Sequence, residues 1–223
     1  DTGLGKRDFG NWLHLLLRHF HEALAAAPAP DEETRVRLLD AAAQIATAEL
    51  GLAQNEFLPF AASWPQVRNA YLTWLARHEA SGARFAQAEA SKQMRLGALV
   101  LTGRIDRIDR LGDGSTLVID YKTEARSKTS ERIRHPAEDT QLAFYAALLE
   151  DDTLAAAYVN LGEKEATRTY EQADIVALRD ELLDSILTDM ARVARGTPLP
   201  ALGEGKACEY CSARGLCRKD FWT

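Results

Sequence analysis

The sequence has few cysteines, no long apolar run and no excess of basic residues, and each absence excludes a class of protein. Its three cysteines lie within ten residues of one another, which is not a disulfide scaffold and indicates a reducing, cytoplasmic compartment. No apolar stretch approaches the roughly 18 residues of a membrane span. With 27 Lys and Arg against 33 Asp and Glu, the net charge of −6 argues against a protein that simply coats nucleic acid, but a local basic groove is compatible with it.

The composition is that of a folded protein. The 223 residues are 46% hydrophobic and 27% charged, which excludes a disordered chain and allows one large domain or two small ones. The N-terminus has no basic-then-apolar signal pattern, and the sequence begins with Asp1 and not with Met. We therefore expect a piece of a longer protein.

The spacing of apolar residues predicts helices and strands in an order typical of an α/β protein. Amphipathic three-and-four spacing predicts helices over residues 9–26, 31–51, 65–80, 137–150 and 174–195. Strand patterns cover residues 84–90, 95–110, 115–121 and 155–161. Residues 126–137 are polar and basic and are predicted to be a loop, and an irregular tail begins at Pro198. The order predicts a mixed central β-sheet flanked by helices.

A predicted hairpin around the turn at 112–114 carries two carboxylates and a lysine. A three-residue turn would place Asp106 opposite Asp120, and Lys122 would point to the same face as Asp120. Two close carboxylates repel unless a cation lies between them, and oxygen ligands suit Mg²⁺ or Mn²⁺. A neighbouring lysine can orient water or stabilise charge, as metal-assisted hydrolysis requires. The pattern also fits a solvated strand face with an Asp–Lys pair.

Other polar residues fall where they could join this site. Gln141 and Tyr145 share one face of the following helix, and His14 lies beside the apolar stripe of the first helix. A half-buried helix face and a packed or surface histidine explain these residues equally well. Basic residues crowd the hairpin and the next loop, as expected for phosphate contacts or for a merely solvated surface; they are Arg104, Arg107, Lys128, Arg132 and Arg134.

Taken in order, four short motifs resemble the PD-(D/E)XK nuclease superfamily, specifically its RecB-like branch. The motifs are Gly10-x-x-x-His14, Gly103-x-x-Asp106, Asp120-x-Lys122 and Gln141-x-x-x-Tyr145. The resemblance implies a restriction-endonuclease-like core within a single nuclease domain over residues 1–223. Residues 28–82 would be a helical insertion after the first helix, residues 84–195 the core sheet and helices, and residues 198–223 a cysteine-containing tail.

The resemblance also implies roles for individual residues. The implied metal ligands are His14, Asp106, Asp120 and the backbone carbonyl of Tyr121, and Asp106, Asp120 and Lys122 are implied to be catalytic. Gln141, Tyr145 and Arg104 would position DNA. Glu89 corresponds to an accessory acid found in some relatives, or is a surface glutamate at a strand end.

The tail has the cysteine spacing C-x2-C-x5-C at Cys208, Cys211 and Cys217. Clustered thiolates select zinc or an iron–sulfur cluster, and both sites normally need four ligands. In AddB-type helicase–nucleases, which the chain resembles, a similar trio joins one upstream cysteine to hold a [4Fe-4S] cluster. Since no cysteine precedes Cys208, we expect the fourth ligand to lie before Asp1. Three free thiols are the alternative.

The resemblance implies a DNA exonuclease that requires Mg²⁺ or Mn²⁺ and acts with a helicase subunit or helicase domains in double-strand break repair. Two alternatives remain open. One is a catalytically silent DNA-binding or scaffold module with the same fold, and the other is a stand-alone nuclease of the CRISPR-associated type.

Overall fold

The computed structural model describes residues 5–52, 58–162, 166–198, 208 and 211–217. The helices are α1 Lys6–Ala26, α2 Glu32–Glu49, α3 Leu58–Ala80, α4 Arg126–Arg134, α5 Gln141–Ala147, α6 Ile175–Ala194 and α7 Arg214–Cys217. The strands are β1 Arg84–Leu96, β2 Leu99–Arg110, β3 Thr116–Lys122, β4 Ala155–Asn160 and β5 Arg168–Glu171. None of the helices in these ranges is long and apolar enough to cross a bilayer.

The five strands form one mixed sheet in the order β1-β2-β3-β4-β5. All neighbouring strands are antiparallel except β3 and β4, which are parallel. A parallel pair needs a crossover connection, and this one contains α4 and α5. The predicted α/β fold with a mixed sheet and flanking helices, consistent with a restriction-endonuclease-like core, is confirmed.

The sheet separates two apolar clusters, which explains how it is held between helices. Ile119 and Tyr121 of β3 pack with α1, α2 and α3, whereas Val118 of the same strand packs with α5 and Ile175 of α6. This alternation follows from the two-residue period of a strand. The stripe predicted on α1 is buried, with Leu13, Leu16 and Phe20 all fully covered.

Contacts between residues divide the chain into two units, Asp1–Leu183 and Asp184–Thr223. The first contains the sheet, α1 to α5 and the beginning of α6. The second contains the rest of α6 and the short helix α7. All residues of the candidate site belong to the first unit.

Three local predictions differ from the structure. Residues 126–134, predicted to be a loop, form α4, because Arg132 binds both Glu124 and Asp139 and fixes this basic segment against its flanks. The strands predicted over 84–90 and 95–110 are two long strands joined by a tight turn, at which Gly97 has a φ of 60° that favours glycine. The short strand β5 carries too few apolar residues to be predicted.

Candidate metal centre and active site

The β2–β3 hairpin has the predicted register. Arg110 pairs with Thr116, and the ladder continues to Arg107 and Ile119. It stops one residue before Asp106 and Asp120, which are therefore not a hydrogen-bonded strand pair. Instead, the Asp106 carboxylate accepts a hydrogen bond of 2.8 Å at Oδ2 from the backbone N–H of Tyr121.

Strand β2 changes its alternation at Asp106. Ile105 and Ile108 both pack in the cluster beneath α5 although they are three residues apart, while Arg107 contacts α1 and α3 on the other face. The register with β1 is unchanged across this point, since Ala88 pairs with Arg107 and Ala90 with Ile105, so the change comes from the local backbone and not from an inserted residue. In β1 the register places Glu89 opposite Asp106, and Glu89 has a φ of 46°, in the left-handed region. Both strands are thus irregular where the acidic side chains lie.

His14 of α1 faces this irregular point. Its Nδ1 lies 3.3 Å from Oδ1 of Asp106, and its Nε2 lies 3.2 Å from the carbonyl oxygen of Tyr121. His14, Glu89 and Asp106 each offer a ligand atom, and these atoms lie within 4.8 Å of one another. Carboxylate oxygens combined with one imidazole form a donor set suited to Mg²⁺ or Mn²⁺.

Asp120 lies next to this group and is buried, with an exposed fraction of 1%. Its Oδ1 accepts a 2.7 Å hydrogen bond from Nε2 of Gln141. Its Oδ2 is 2.7 Å from Nζ of Lys122, in an ion pair without hydrogen-bond alignment, and has no other donor in the described part of the chain. Burial and the charge of Asp106 raise the pKa of Asp120 to about 7. A buried carboxylate oxygen without a hydrogen bond, beside a second carboxylate, fits a divalent cation.

The pKa shifts of Glu89 and His14 also indicate a concentration of negative charge at this site. Burial and the charge of Asp106 also raise the pKa of Glu89. Burial opposes protonation of His14, but the hydrogen bond and charge of Asp106 outweigh it and raise the pKa of that imidazole. The carboxylates are therefore incompletely neutralised by protein groups, which favours the binding of a cation.

Lys122 is held by three neighbours. Besides its ion pair with Asp120, Nζ donates a 2.7 Å hydrogen bond to Oε1 of Gln141 and lies 4.9 Å from the centre of the Tyr158 ring. Gln141 also donates from Nε2 to the Tyr145 hydroxyl at 3.1 Å. Of the two residues predicted on α5, Gln141 thus contacts Asp120 and Lys122 directly, and Tyr145 contacts Gln141. Tyr158 was not predicted, although it pairs with Asp120 across the parallel β3–β4 ladder.

Not all of the predicted basic cluster is available to phosphates. Arg107 is buried, with 1% exposed, and its guanidinium contacts Asp109 at 2.7 Å and His21 at 2.9 Å. Its predicted role in phosphate contact is wrong, because its side chain is enclosed between the sheet and helices α1 and α3. Arg132 is engaged by two carboxylates. The exposed members are Arg104, Lys128 and Arg134, of which Arg104 binds Glu89 at 2.8 Å.

Arg107 belongs to a buried polar network on the α1 face of the sheet. Its Nη1 contacts the Tyr71 hydroxyl at 3.1 Å and the Tyr121 hydroxyl at 3.4 Å, and these two hydroxyls are 2.9 Å apart. Asp109, which accepts from Arg107, also contacts His78 at 2.7 Å. The feature of the sequence that could have predicted this network is the pair of opposite charges at positions 107 and 109, which share one face of β2.

The three cysteines carry no disulfide. Cys208 is half-buried, and Cys211 and Cys217 are exposed. Among the residues with described positions, their thiols do not come together as a group of metal ligands. The [4Fe-4S] cluster stays a prediction from the sequence.

Comparisons with known proteins identify the superfamily of the chain. The family model of the PD-(D/E)XK nuclease superfamily matches residues 1–218. No curated protein matches the chain. One of the solved structures that match is described as "Crystal structure of SSO0001"; it is 18% identical, covers 91% of this chain and 93% of its own, and has a TM-score of 0.36.

Proposed function

Since the chain belongs to the PD-(D/E)XK nuclease superfamily, we propose that the site formed by α1, β2, β3 and α5 hydrolyses phosphodiester bonds of DNA with Mg²⁺ or Mn²⁺. The observation that carries this proposal is the convergence of His14, from the first helix, with Asp106, Asp120 and Lys122 of the β2–β3 hairpin on one small region.

In this proposal His14, Asp106, Asp120 and the carbonyl oxygen of Tyr121 hold the metal, and Glu89 is an additional acidic ligand. The close approach of ligand atoms of His14, Glu89 and Asp106 supports it, as does the buried Asp120 Oδ2, which has an ion pair with Lys122 but no aligned hydrogen bond. A divalent cation there supplies the Lewis acidity for phosphodiester hydrolysis.

Lys122 is proposed as the catalytic lysine. Its ammonium can donate to the attacking water or to a phosphate oxygen, where a fixed positive charge stabilises the negative charge that develops. Gln141 holds both Lys122 and Asp120, each at 2.7 Å, and so fixes the ammonium relative to a metal ligand. Tyr145 in turn restrains the Gln141 amide, and Arg104 offers an exposed guanidinium for DNA.

The wider context is proposed from the resemblance. The four motifs, in the order of the RecB-like branch, support an exonuclease that works with a helicase subunit or helicase domains in recombination and break repair. The cysteine trio supports a [4Fe-4S] cluster completed by a cysteine outside this sequence, as in AddB-type helicase–nucleases.

The test is cleavage of linear single- and double-stranded DNA, labelled at either end, with Mg²⁺, Mn²⁺ or Ca²⁺. Wild type is compared with Asp120→Ala and Lys122→Ala, and Asp189→Asn is a control because Asp189 is an exposed carboxylate of α6. We expect metal-dependent cleavage that both site variants lose by a factor of at least about 10³ and the control retains. Lys122→Ala should still bind Mn²⁺.

The products decide the finer points. Mononucleotides released from one labelled end support an exonuclease, whereas internal fragments support an endonuclease. Cleavage by Lys122→Ala at the wild-type rate would overturn the role of the lysine. DNA binding without cleavage in any metal would favour the catalytically silent module.

A further inference from the structure

The β1–β2 hairpin extends well beyond the rest of the sheet. Strand β3 pairs only with residues 107–110 of β2, whereas β1 and β2 remain paired to Leu96 and Leu99. Beyond the metal site, therefore, the two strands form a ribbon of their own. One face of this ribbon is covered, since Met94 is buried with Ala147 and Leu148, and Leu96 and Leu101 pack against that cluster.

The opposite face of the ribbon is open. It consists of three successive cross-strand pairs, Ser91 with Arg104, Gln93 with Thr102 and Arg95 with Val100. All six of these residues are exposed. Residues two apart in a strand share a face. The next residues on this face toward the sheet are therefore Glu89 and Asp106, which lie opposite each other between the pairs Ala88–Arg107 and Ala90–Ile105. We call this surface, residues 91, 93, 95, 100, 102 and 104, the ribbon face.

The ribbon face begins at the candidate metal site and has the charge that a polyanion requires. It carries two arginines and no carboxylate, and the first acidic side chains along it are Glu89 and Asp106 themselves. Arg104 has a side chain that is 66% exposed. The protein has a net charge of −6, so an acid-free strip with two arginines beside the candidate metal site differs from its overall acidic balance.

The dimensions fit one nucleic-acid strand. Strand residues advance by about 3.4 Å, so the Arg95–Val100 pair lies roughly 20 Å from Asp106 along the ribbon. A strand with a rise of about 3.4 Å per nucleotide would cover that length with about six nucleotides. Two β-strands about 4.8 Å apart present a flat strip one polymer chain wide.

We infer that the ribbon face binds the phosphate backbone of a single DNA strand for about six nucleotides on its path through the metal site. This inference rests on the proposed function and adds to it the surface that positions the substrate. Arg104 and Arg95 contact phosphates near to and far from the metal, and Gln93 and Thr102 supply neutral hydrogen bonds between them. Such contacts are independent of base sequence.

The test measures binding without cleavage, with Ca²⁺ in place of Mg²⁺ and fluorescent oligo(dT) of 3, 6 and 12 nucleotides across a salt series. The variant is Arg95→Gln, and the matched control is Arg77→Gln, since Arg77 is an exposed arginine on α3. Each lost phosphate contact on a single strand lowers the slope of log K against log salt by about 0.7. We expect that loss, with about 3- to 10-fold weaker binding, for Arg95→Gln on the 12-mer and not for the control.

The length series locates the contact. Wild type and Arg95→Gln should bind the 3-mer equally and differ on the 12-mer. Equal affinities and slopes of the two proteins on the 12-mer would overturn the ribbon face, and the proposed function would stand if the wild type still cleaves DNA. Binding of duplex alone would overturn the single-strand assignment. A wild type that neither binds nor cleaves DNA would overturn both proposals.

Discussion

The backbone N–H of Tyr121 donates a 2.8 Å hydrogen bond to Asp106, and the carbonyl oxygen of the same residue faces His14 at 3.2 Å. The Tyr121 side chain points to the α1 face of the sheet, where its hydroxyl meets Tyr71 and Arg107. One residue thus joins the candidate metal centre to the buried polar network. His21 of that network lies two helical turns after His14 on α1, so the network and the site share the elements α1, β2 and β3.

Tyr121→Phe should therefore weaken metal binding without removing a ligand. Loss of the hydroxyl leaves Tyr71 and Arg107 with one partner fewer, at a cost of about 1–2 kcal/mol in unfolding free energy. Because the Tyr121 backbone is then held less firmly, we expect Mn²⁺ affinity to fall by about 10-fold, the lower end of the effect seen for groups that orient metal ligands. Calorimetry on fully folded protein measures it. Tyr170→Phe is the control, and equal Mn²⁺ affinities for all three proteins would show that the network serves stability alone.

Asp120→Asn should stabilise the metal-free protein while it abolishes tight metal binding. The pKa of Asp120 is raised to about 7 in the folded state, so the stability that it contributes at acid pH is lost as the pH rises from about 4 to about 7. At pH 8 the buried charge is a net cost, which asparagine removes. We expect the melting temperature at pH 8 to rise by about 3–6 °C, with no such gain for Asp189→Asn. An unchanged melting temperature would contradict the raised pKa.

His21 should make the protein less stable in acid. Burial and the charge of Arg107 lower the pKa of this imidazole well below its ordinary value. The unfolded chain therefore takes up a proton near pH 6.5, which the folded state does not accept. Relative to wild type, the unfolding free energy of His21→Gln should rise by about 1.4 kcal/mol per pH unit below 6.5. Urea unfolding of both proteins at several pH values isolates this slope from the opposite contribution of Asp120.

Local patterns allowed the helices, the sheet class and the β2–β3 register to be predicted, because each depends on residues close in sequence. The buried stripe of α1 follows from its spacing, and the hairpin register follows from the turn at 112–114. The side chain of Asp31, in the acidic start predicted for the second helix, accepts a hydrogen bond from the backbone of Thr34 and caps α2.

The details of the site depend on contacts between distant segments and were harder to predict. The change of alternation at Asp106 departs from the two-residue period of a strand and is visible only in the folded sheet, where Arg107 is buried and Arg104 is exposed. Similarly, α4 depends on ion pairs of Arg132 with Glu124 before it and Asp139 after it. Its low apolar content conceals the helix from any analysis of periodicity.

The two motif glycines should respond differently to alanine, because only one of them lies in a close contact. A Cβ at Gly103 would lie 2.7 Å from Cδ1 of Leu148 and 3.1 Å from the Phe144 ring, so α5 or those side chains must shift. We expect Gly103→Ala to cost about 1–3 kcal/mol of unfolding free energy and to lower kcat, since α5 carries Gln141. At Gly10 a Cβ would meet Thr123 at an ordinary 3.5 Å, so Gly10→Ala should be neutral or stabilise α1 by about 0.5–1 kcal/mol. Urea unfolding compares the two variants, and equal losses would refute the close packing of β2 against α5.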